Sequence, residues 1–184
     1  MQTYLALLRG INVSGQKLLK MEDLRKLMED TGFGNVKTYI QSGNIIFDSN
    51  EIPMDKVAEK IKNSILEKYG FDVSILILTS NDLAKAIKSN PFTKEKDVNL
   101  KQVYVTYLSD KAKEVNLEKL DLASFAPDET VLIDKAIYIK FSDSASNSRL
   151  SNNLIERKLQ VTATTRNWNT TLKLMELLNE RKIS

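Results

Sequence analysis

The order of secondary-structure elements repeats within this chain, and the repeat restricts the fold more than any single motif does. Alternating and apolar runs predict the order β-α-β-β-α-β-α in the first half of the chain and the same order again after residue 100. The letters themselves do not repeat, so the pattern indicates a structural duplication. A β-α-β-β-α-β unit is typical of the ferredoxin-like, or split βαβ, arrangement, a four-stranded antiparallel sheet with helices on one face. We therefore predict an α+β fold of two ferredoxin-like halves.

The boundary between the halves is predicted from a change in composition. The segment 91–100 begins with a proline and is rich in charged residues, which is typical of a linker. The predicted halves are 1–90 and 101–184. Within them, Phe71–Leu78 is predicted as a strand, and a weaker helix is predicted between Ser109 and about Leu120.

The composition excludes much of the common enzyme repertoire. The chain has no cysteine and no histidine, so thiolate nucleophiles, imidazole bases and metal sites built on either residue are excluded. No acidic metal-binding motif is present, and we predict no metal and no cofactor. No stretch approaches the roughly 20 apolar residues of a membrane helix, and no secretory signal precedes Arg9. We expect a cytoplasmic protein without a membrane partner; its oligomeric state is left open.

The charge is unevenly distributed along the chain. The net charge is +3, but residues 135–184 alone carry nine basic and four acidic side chains, a local charge of +5. Such an excess can attract phosphate-bearing partners, but a solvated surface is the favoured interpretation of so small an excess.

The first segment that can carry chemistry is RGINVSGQK, which begins at Arg9. Its glycine spacing resembles a phosphate-binding P-loop, but Gln16 interrupts the motif and Leu18 replaces the hydroxyl residue that holds magnesium. A looser interpretation has the backbone N–H groups between Gly10 and Gly15 holding an anion beside Arg9. The alternative is that both glycines only shape the connection from strand to helix and that Asn12 forms hydrogen bonds within its own turn.

The second segment is TYIQSGN, which ends at Asn44 and is typical of a hairpin turn. In the split βαβ unit, the end of the first strand and the turn between the second and third strands lie at the same edge of the sheet. Arg9, Asn12, Gln41, Ser42 and Asn44 are therefore expected to form one polar cluster. Its amide and hydroxyl groups suit binding of a polar or phosphorylated ligand better than acid–base catalysis.

The third segment is TTRNWNT, between a short strand and the last helix. Asn167 or Asn169 is expected to cap that helix, and the helix N-terminus together with Arg166 can receive an anion. Trp168 can stack on a planar group, but packing is the more frequent role of a lone tryptophan.

RGINVSGQK, TYIQSGNIIF and TTRNWNT together resemble the signature blocks of a bacterial family catalogued as domain of unknown function 1697, and the resemblance extends from Thr3 to about Leu178. The resemblance implies a small bacterial cytoplasmic protein of two ferredoxin-like halves, without an assigned activity, cofactor or catalytic residue. Ser14 departs from the glycine that the family more often has, which indicates that position 14 needs no unusual backbone freedom.

Three hypotheses of function follow. The first is a binding protein for an anionic or phosphate-bearing ligand, either a nucleotide or a nucleic acid. The second is a small enzyme acting on a phosphorylated metabolite without histidine or cysteine, and the third is a protein-interaction module that uses a sheet edge. The residues predicted to bind the ligand are Arg9, Asn12, Ser42, Asn44, Arg166 and Asn167.

The three segments lie in different halves of the chain, and we predict that the halves share one site near their junction. This arrangement requires the tips of Arg9 and Arg166 to lie within roughly 15 Å of each other, the span of a nucleotide-sized ligand. If the tips are farther apart, the segments are explained separately as turn and capping sequences.

Overall fold

A computed structural model describes residues 1–50 and 53–181 of the chain. Its strands are β1 (Gln2–Leu8), β2 (Gly34–Tyr39), β3 (Asn44–Ser49), β4 (Ile75–Leu78), β5 (Val103–Leu108), β6 (Glu129–Ile133), β7 (Ala136–Lys140) and β8 (Ala163–Asn167). Its helices are α1 (Met21–Asp30), α2 (Met54–Tyr69), α3 (Ser80–Ser89), α4 (Glu114–Leu117), α5 (Asn152–Leu159) and α6 (Trp168–Glu180). No helix in this described part of the chain is long and apolar enough to span a membrane.

The strands form two four-stranded antiparallel sheets with the same connectivity. The first has the order β2-β3-β1-β4 and the second the order β6-β7-β5-β8. In both sheets the first strand lies between the third and the fourth and is antiparallel to both. This is the order of the split βαβ unit, so the predicted α+β fold of two ferredoxin-like halves is confirmed.

The first sheet packs α1 and α2 against one face. Side chains alternate along β1, so Tyr4, Ala6 and Leu8 face the helices and are buried. Helix α2 presents Val57, Ile61 and Ile65, spaced four residues apart, on its buried side. The first core therefore lies between this face of the sheet and its helices, and Leu5 and Leu7 on the opposite face of β1 are buried as well.

The second sheet is covered in the same way. Leu108, Ile137 and Ile139 are buried on one face of the sheet, in the same cluster as Ile155 and Leu159 of α5. Each unit thus has its own hydrophobic core, as expected of a duplicated fold.

The chain divides into two compact units. Unit 1 comprises Met1–Leu83 and the described part of Leu174–Ser184, and unit 2 comprises Ala84–Lys173. The segment 91–100, predicted as a linker, lies within unit 2 and begins with a short 3-10 helix, Phe92–Lys94. Lys140 of β7 forms an ion pair with Glu95 at 2.6 Å and fixes this segment to the sheet of its own unit.

Two sequence-based element boundaries are wrong. The predicted strand Phe71–Leu78 pairs with the sheet only over Ile75–Leu78. Phe71 lies outside the paired segment and stacks on Tyr69, with ring centroids 6.1 Å apart. The helix expected up to Leu120 has only four residues, Glu114–Leu117. Tertiary contacts have overridden the local sequence preference in both places.

Arg181, which follows α6, connects the end of this helix to the edge of the first sheet. We call its contacts with Asn35, Ile46 and Asp48 the latch. Arg181 donates hydrogen bonds to the carbonyl oxygens of Asn35 and Ile46, and its Nη1 lies 3.4 Å from Asp48 Oδ1. Asp48 also accepts hydrogen bonds from Thr3 at 2.6 Å and Asn35 at 2.7 Å. Burial raises the pKa of Asp48, but these hydrogen bonds and the Arg181 charge outweigh burial and hold the pKa below 3.8.

Replacing Asp48 with asparagine is expected to destabilise the protein in a pH-dependent way. Because the folded-state pKa of Asp48 is lowered, its stabilisation is present above pH 3.8 and is lost as the pH falls through the folded-state pKa. At neutral pH, Asp48→Asn should lower the free energy of unfolding by about 2 kcal/mol. Urea denaturation at several pH values measures the difference, which should shrink below about pH 4. The exposed Asp30→Asn variant is the control; an effect of Asp48→Asn that is equal at all pH values contradicts the prediction.

Candidate functional site

The first group of predicted site residues lies at one edge of the first sheet, where β1 ends and the β2–β3 turn begins. The Leu8 N–H donates to the Gly43 carbonyl at 2.8 Å, and the Arg9 N–H donates to the Ser74 carbonyl at 2.9 Å. The expectation that Arg9 and the hairpin turn share one edge is therefore confirmed. We call the segments 9–20 and 38–44 together the N-terminal edge.

The loop after β1 contains a tight turn. Val13 and Gln16 form an isolated β-bridge, and the Gln16 N–H donates to the Val13 carbonyl at 2.9 Å. Between them, Ser14 has a φ of 49° and Gly15 a φ of 74°, the two positive values that a type I′ turn requires. The expectation that position 14 needs no unusual backbone freedom is therefore wrong.

Replacing Ser14 with glycine is expected to stabilise the protein by about 1 kcal/mol, because the left-handed conformation is unfavourable for every residue except glycine. Thermal unfolding of Ser14→Gly should show a higher midpoint than the unchanged protein. The Ser146→Gly variant, at an exposed position that has no positive φ, is the control. A lower midpoint for Ser14→Gly would show that the turn does not hold its left-handed residues in solution.

Asn12 joins the loop to the hairpin turn through its side chain. Its Nδ2 donates to the Leu19 carbonyl at 2.9 Å and to the Gln41 carbonyl at 2.8 Å, and its Oδ1 accepts from the Leu19 N–H at 2.8 Å. Both donor hydrogens of the amide are used in this way. Asn12 thus belongs to the N-terminal edge as predicted, but its amide holds the backbone in place.

The hairpin turn is strained and tightly packed. Ile40, a β-branched residue, has a φ of 49°, and Gly43 has a φ of 75°; the left-handed conformation of Ile40 is a genuine outlier. The fully buried Asn44 donates from Nδ2 to the Tyr39 carbonyl at 2.9 Å and to Ser42 Oγ at 3.0 Å. Asn44 and Ser42 therefore stabilise the turn from inside.

The N-terminal edge is positively charged. Its two segments contain Arg9, Lys17 and Lys20 and no aspartate or glutamate. Lys17 Nζ donates to the Asp72 carbonyl. The Asp72 carboxylate itself pairs with Lys62 at 2.8 Å. The hydrogen bond and charge of Lys62, together with the charge of Lys17, lower the pKa of Asp72. Lys17 of the edge and Asp72 beside it therefore interact electrostatically.

The second sheet has an equivalent edge with the same backbone hydrogen bonds. The Leu108 N–H donates to the Lys135 carbonyl at 2.9 Å, and the Ser109 N–H donates to the Thr162 carbonyl at 2.9 Å. Opposite charges pair here: Lys111 lies 3.3 Å from Asp134, and Lys135 lies 3.3 Å from Asp110. The duplicated units thus share the backbone of this edge but not its charge.

Arg166 is buried within β8. The residue is only 6% exposed. Its Nη1 donates to Thr164 Oγ1 at 2.8 Å and to the Thr165 carbonyl at 3.0 Å. Burial lowers the pKa of Arg166 to about 10, while the neighbouring Tyr107 acts in the opposite direction. Burial also raises the pKa of Tyr107, which is within hydrogen-bond distance of Thr171 at 3.0 Å.

Asn167 caps the last helix, as one of the two predicted alternatives requires. Its Oδ1 accepts from the Asn169 N–H at 2.9 Å, and its Nδ2 donates to the Lys101 carbonyl at 3.1 Å. Trp168 is 3% exposed, in agreement with a packing role. Both Arg166 and Asn167 lie in unit 2, whereas the N-terminal edge lies in unit 1, and the shared site stays a prediction.

Acidic clusters contribute no further candidate. Within residues 1–50 and 53–181, no group of three or more acidic side chains is arranged to hold a metal ion. The chemistry that the N-terminal edge offers comes from its ammonium, guanidinium, amide and hydroxyl groups, which bind anions and polar ligands.

Comparison with known proteins agrees with this architecture. A solved structure titled as the conserved bacterial protein SP0830 from Streptococcus pneumoniae is similar to this chain with a TM-score of 0.69 and 24% sequence identity. The similarity covers 97% of this chain and 99% of the other and supports the fold alone. Among curated proteins, none matches the sequence.

The family model described as protein of unknown function, DUF1697, matches residues 1–138. The matched range includes the whole N-terminal edge and both sheets as far as β7, while the TTRNWNT segment lies outside it. Three quarters of the chain is thus covered by one family, in agreement with the resemblance of its first two sequence blocks. The chain belongs to the DUF1697 family of proteins of unknown function.

Proposed function

We propose that this protein binds an anionic, phosphate-bearing ligand, a nucleotide or a nucleic acid, at the N-terminal edge. The observation that carries the proposal is the composition of this edge: three cations and no carboxylate on two segments that Asn12 holds together. Preorganised cations bind phosphate without first ordering a loop. The place of action that the family resemblance implies is the bacterial cytoplasm.

The equivalent edge in unit 2 supports the proposal by contrast. Both edges have the same backbone hydrogen bonds, so the fold alone does not require either charge pattern. In unit 2 two ion pairs join the loop to the hairpin turn, whereas the two segments of the N-terminal edge contain three cations and no aspartate or glutamate.

Binding is a better description of this edge than catalysis. General acids and bases are most often histidine or carboxylate side chains, and the N-terminal edge contains neither. The alternative, a small enzyme acting on a phosphorylated metabolite, would have to use Lys17, Tyr39 or a carboxylate from another segment. The proposed function is therefore recognition of the ligand.

A double variant tests the proposal. Lys17→Ala/Lys20→Ala should weaken binding of a fluorescein-labelled oligonucleotide about tenfold at low salt, because two phosphate contacts are lost. The matched control is Lys111→Ala/Lys113→Ala, which removes the same charge from the equivalent loop of unit 2. Fluorescence anisotropy measures both affinities, with circular dichroism to verify folding. Equal affinities of the two double variants, or no binding by the unchanged protein, would contradict the proposed function.

A further inference from the structure

Three exposed aliphatic side chains lie around the Asn12 hydrogen bonds. Val13 is 57% exposed, Leu18 is 66% exposed and Ile40 is 46% exposed. Val13 follows Asn12, and Leu18 and Ile40 are each adjacent to a residue whose carbonyl accepts from the Asn12 amide. Neighbouring Cα atoms are about 3.8 Å apart, so the three residues belong to one small region, which we call the aliphatic patch.

Cationic and amide side chains lie on the same segments as the aliphatic patch. Lys17 and Lys20 flank Leu18 in the sequence, and the side chains of Gln16 and Gln41 belong to exposed residues on the same two segments. A solvent-exposed aliphatic group gains free energy when an apolar surface covers it. A ligand that covers this patch must also complement the cationic and amide groups around it. The N-terminal edge itself contains no carboxylate.

An enclosed nucleotide does not fit the exposure of these residues. Small ligands bind in concave sites that bury 70–90% of their surface, whereas the aliphatic patch is formed by side chains that are about half exposed on two turns. An extended polymer can lie across such a surface and contact several groups in succession. Its phosphates then meet the lysines, and its apolar faces meet the aliphatic side chains.

We infer that the ligand is single-stranded nucleic acid, which lies across the N-terminal edge with unpaired bases on the aliphatic patch. This inference rests on the proposed function and names the ligand class. Base faces are accessible only in a single strand, because in a duplex they are stacked on one another. The amide groups of Gln16 and Gln41 can each donate to and accept from base edges.

The test compares three probes on the full-length protein: a labelled 12-nucleotide single strand, the corresponding duplex and a mononucleotide. The single strand should bind about tenfold more tightly than either of the others. Val13→Ser/Leu18→Ser should weaken single-strand binding about tenfold and leave duplex binding unchanged. The matched control, Leu66→Ser/Val115→Ser, removes two exposed aliphatic side chains elsewhere and should leave both unchanged.

Salt dependence separates the electrostatic contribution. With three phosphate contacts, the slope of log K against log salt concentration should be about −2 for the single strand, and it should fall to about −0.7 in Lys17→Ala/Lys20→Ala. Val13→Ser/Leu18→Ser should keep the slope of the unchanged protein while lowering the affinity. Such a result would show that the lysines supply the salt-dependent part of the affinity and that the aliphatic side chains supply a separate, salt-independent part.

The outcomes distinguish the two proposals. Equal binding of single strand and duplex, with both lost in Lys17→Ala/Lys20→Ala but unaffected by Val13→Ser/Leu18→Ser, would overturn the inference and leave the proposed function intact. Binding of poly-glutamate as tight as that of the single strand would overturn both, because the site would then recognise acidic protein. Binding of none of the probes would also overturn both.

Discussion

Gly43→Ala is expected to lower the free energy of unfolding by about 3 kcal/mol or more, the largest effect expected of a glycine-to-alanine change in this chain. Gly43 has a φ of +75°, and a Cβ at this position would lie 2.6 Å from Ile11 Cδ1 and 2.8 Å from Leu8 Cβ. The left-handed conformation costs about 1–2 kcal/mol for alanine, and overpacking of a buried contact adds about 1–3 kcal/mol. Urea denaturation followed by far-UV circular dichroism measures the change.

Gly15→Ala provides the matched control. Gly15 has nearly the same φ, +74°, but a Cβ there would meet nothing within 4 Å. The loss of stability in Gly15→Ala therefore measures the cost of the left-handed conformation alone. The additional loss in Gly43→Ala measures the steric clash of the new methyl group with Ile11 and Leu8. If both alanines destabilise the protein equally, the turn does not dock on Ile11 and Leu8 as described.

The second large effect is expected from Asn12→Gly. Glycine keeps the φ of 53° without strain, so the variant removes mainly the three side-chain hydrogen bonds. Their loss should cost about 3 kcal/mol, offset by about 1 kcal/mol from relief of the left-handed conformation. We expect net destabilisation of about 2 kcal/mol and faster hydrogen exchange of the Leu19 amide, which donates to Asn12 Oδ1.

Asp97→Gly is the control for Asn12→Gly. Asp97 is exposed and has a φ of 62°, so its replacement relieves similar backbone strain without removing a comparable set of hydrogen bonds. This variant should be as stable as the unchanged protein or slightly more stable. Unchanged exchange of the Leu19 amide in Asn12→Gly would mean that Asn12 does not hold the loop.

The architecture was predictable from the sequence because it depends on short-range patterns. The continuous apolar run of β1 and the four-residue spacing of Val57, Ile61 and Ile65 are visible in the letters, and together they predict sheet and helices. The element order then restricts the topology to few arrangements. The strand at Phe71 was misjudged because its apolar side chains pack in the core without extended pairing.

The site was predictable in its position but not in the roles of its residues. Topology alone brings Arg9 and the hairpin turn to one edge. Asn12 and Asn44 were predicted to bind the ligand, because an asparagine amide can bind a ligand or the backbone equally well. Only the structure distinguishes these two roles. Arg166 was predicted to receive an anion between a short strand and the last helix, yet it is buried within β8.

Other features have no local sequence signal. The latch joins Arg181 to Asn35 and Asp48, which are more than 130 residues away in the sequence. The left-handed conformation of Ile40 runs against the preference of its residue type. Both arise from tertiary packing.

The Asn12 amide fixes the backbone of its loop independently of the side chains that the loop exposes. Because the hydrogen bonds run to backbone carbonyl and N–H groups, they do not depend on which side chains stand at the neighbouring positions. Val13, Gln16 and Leu18 can therefore be exchanged without refolding the segment. A scaffold of this kind can acquire new ligand preferences by single substitutions at the tip, and a library randomised at these three positions would sample specificity while the stability of the fold is retained.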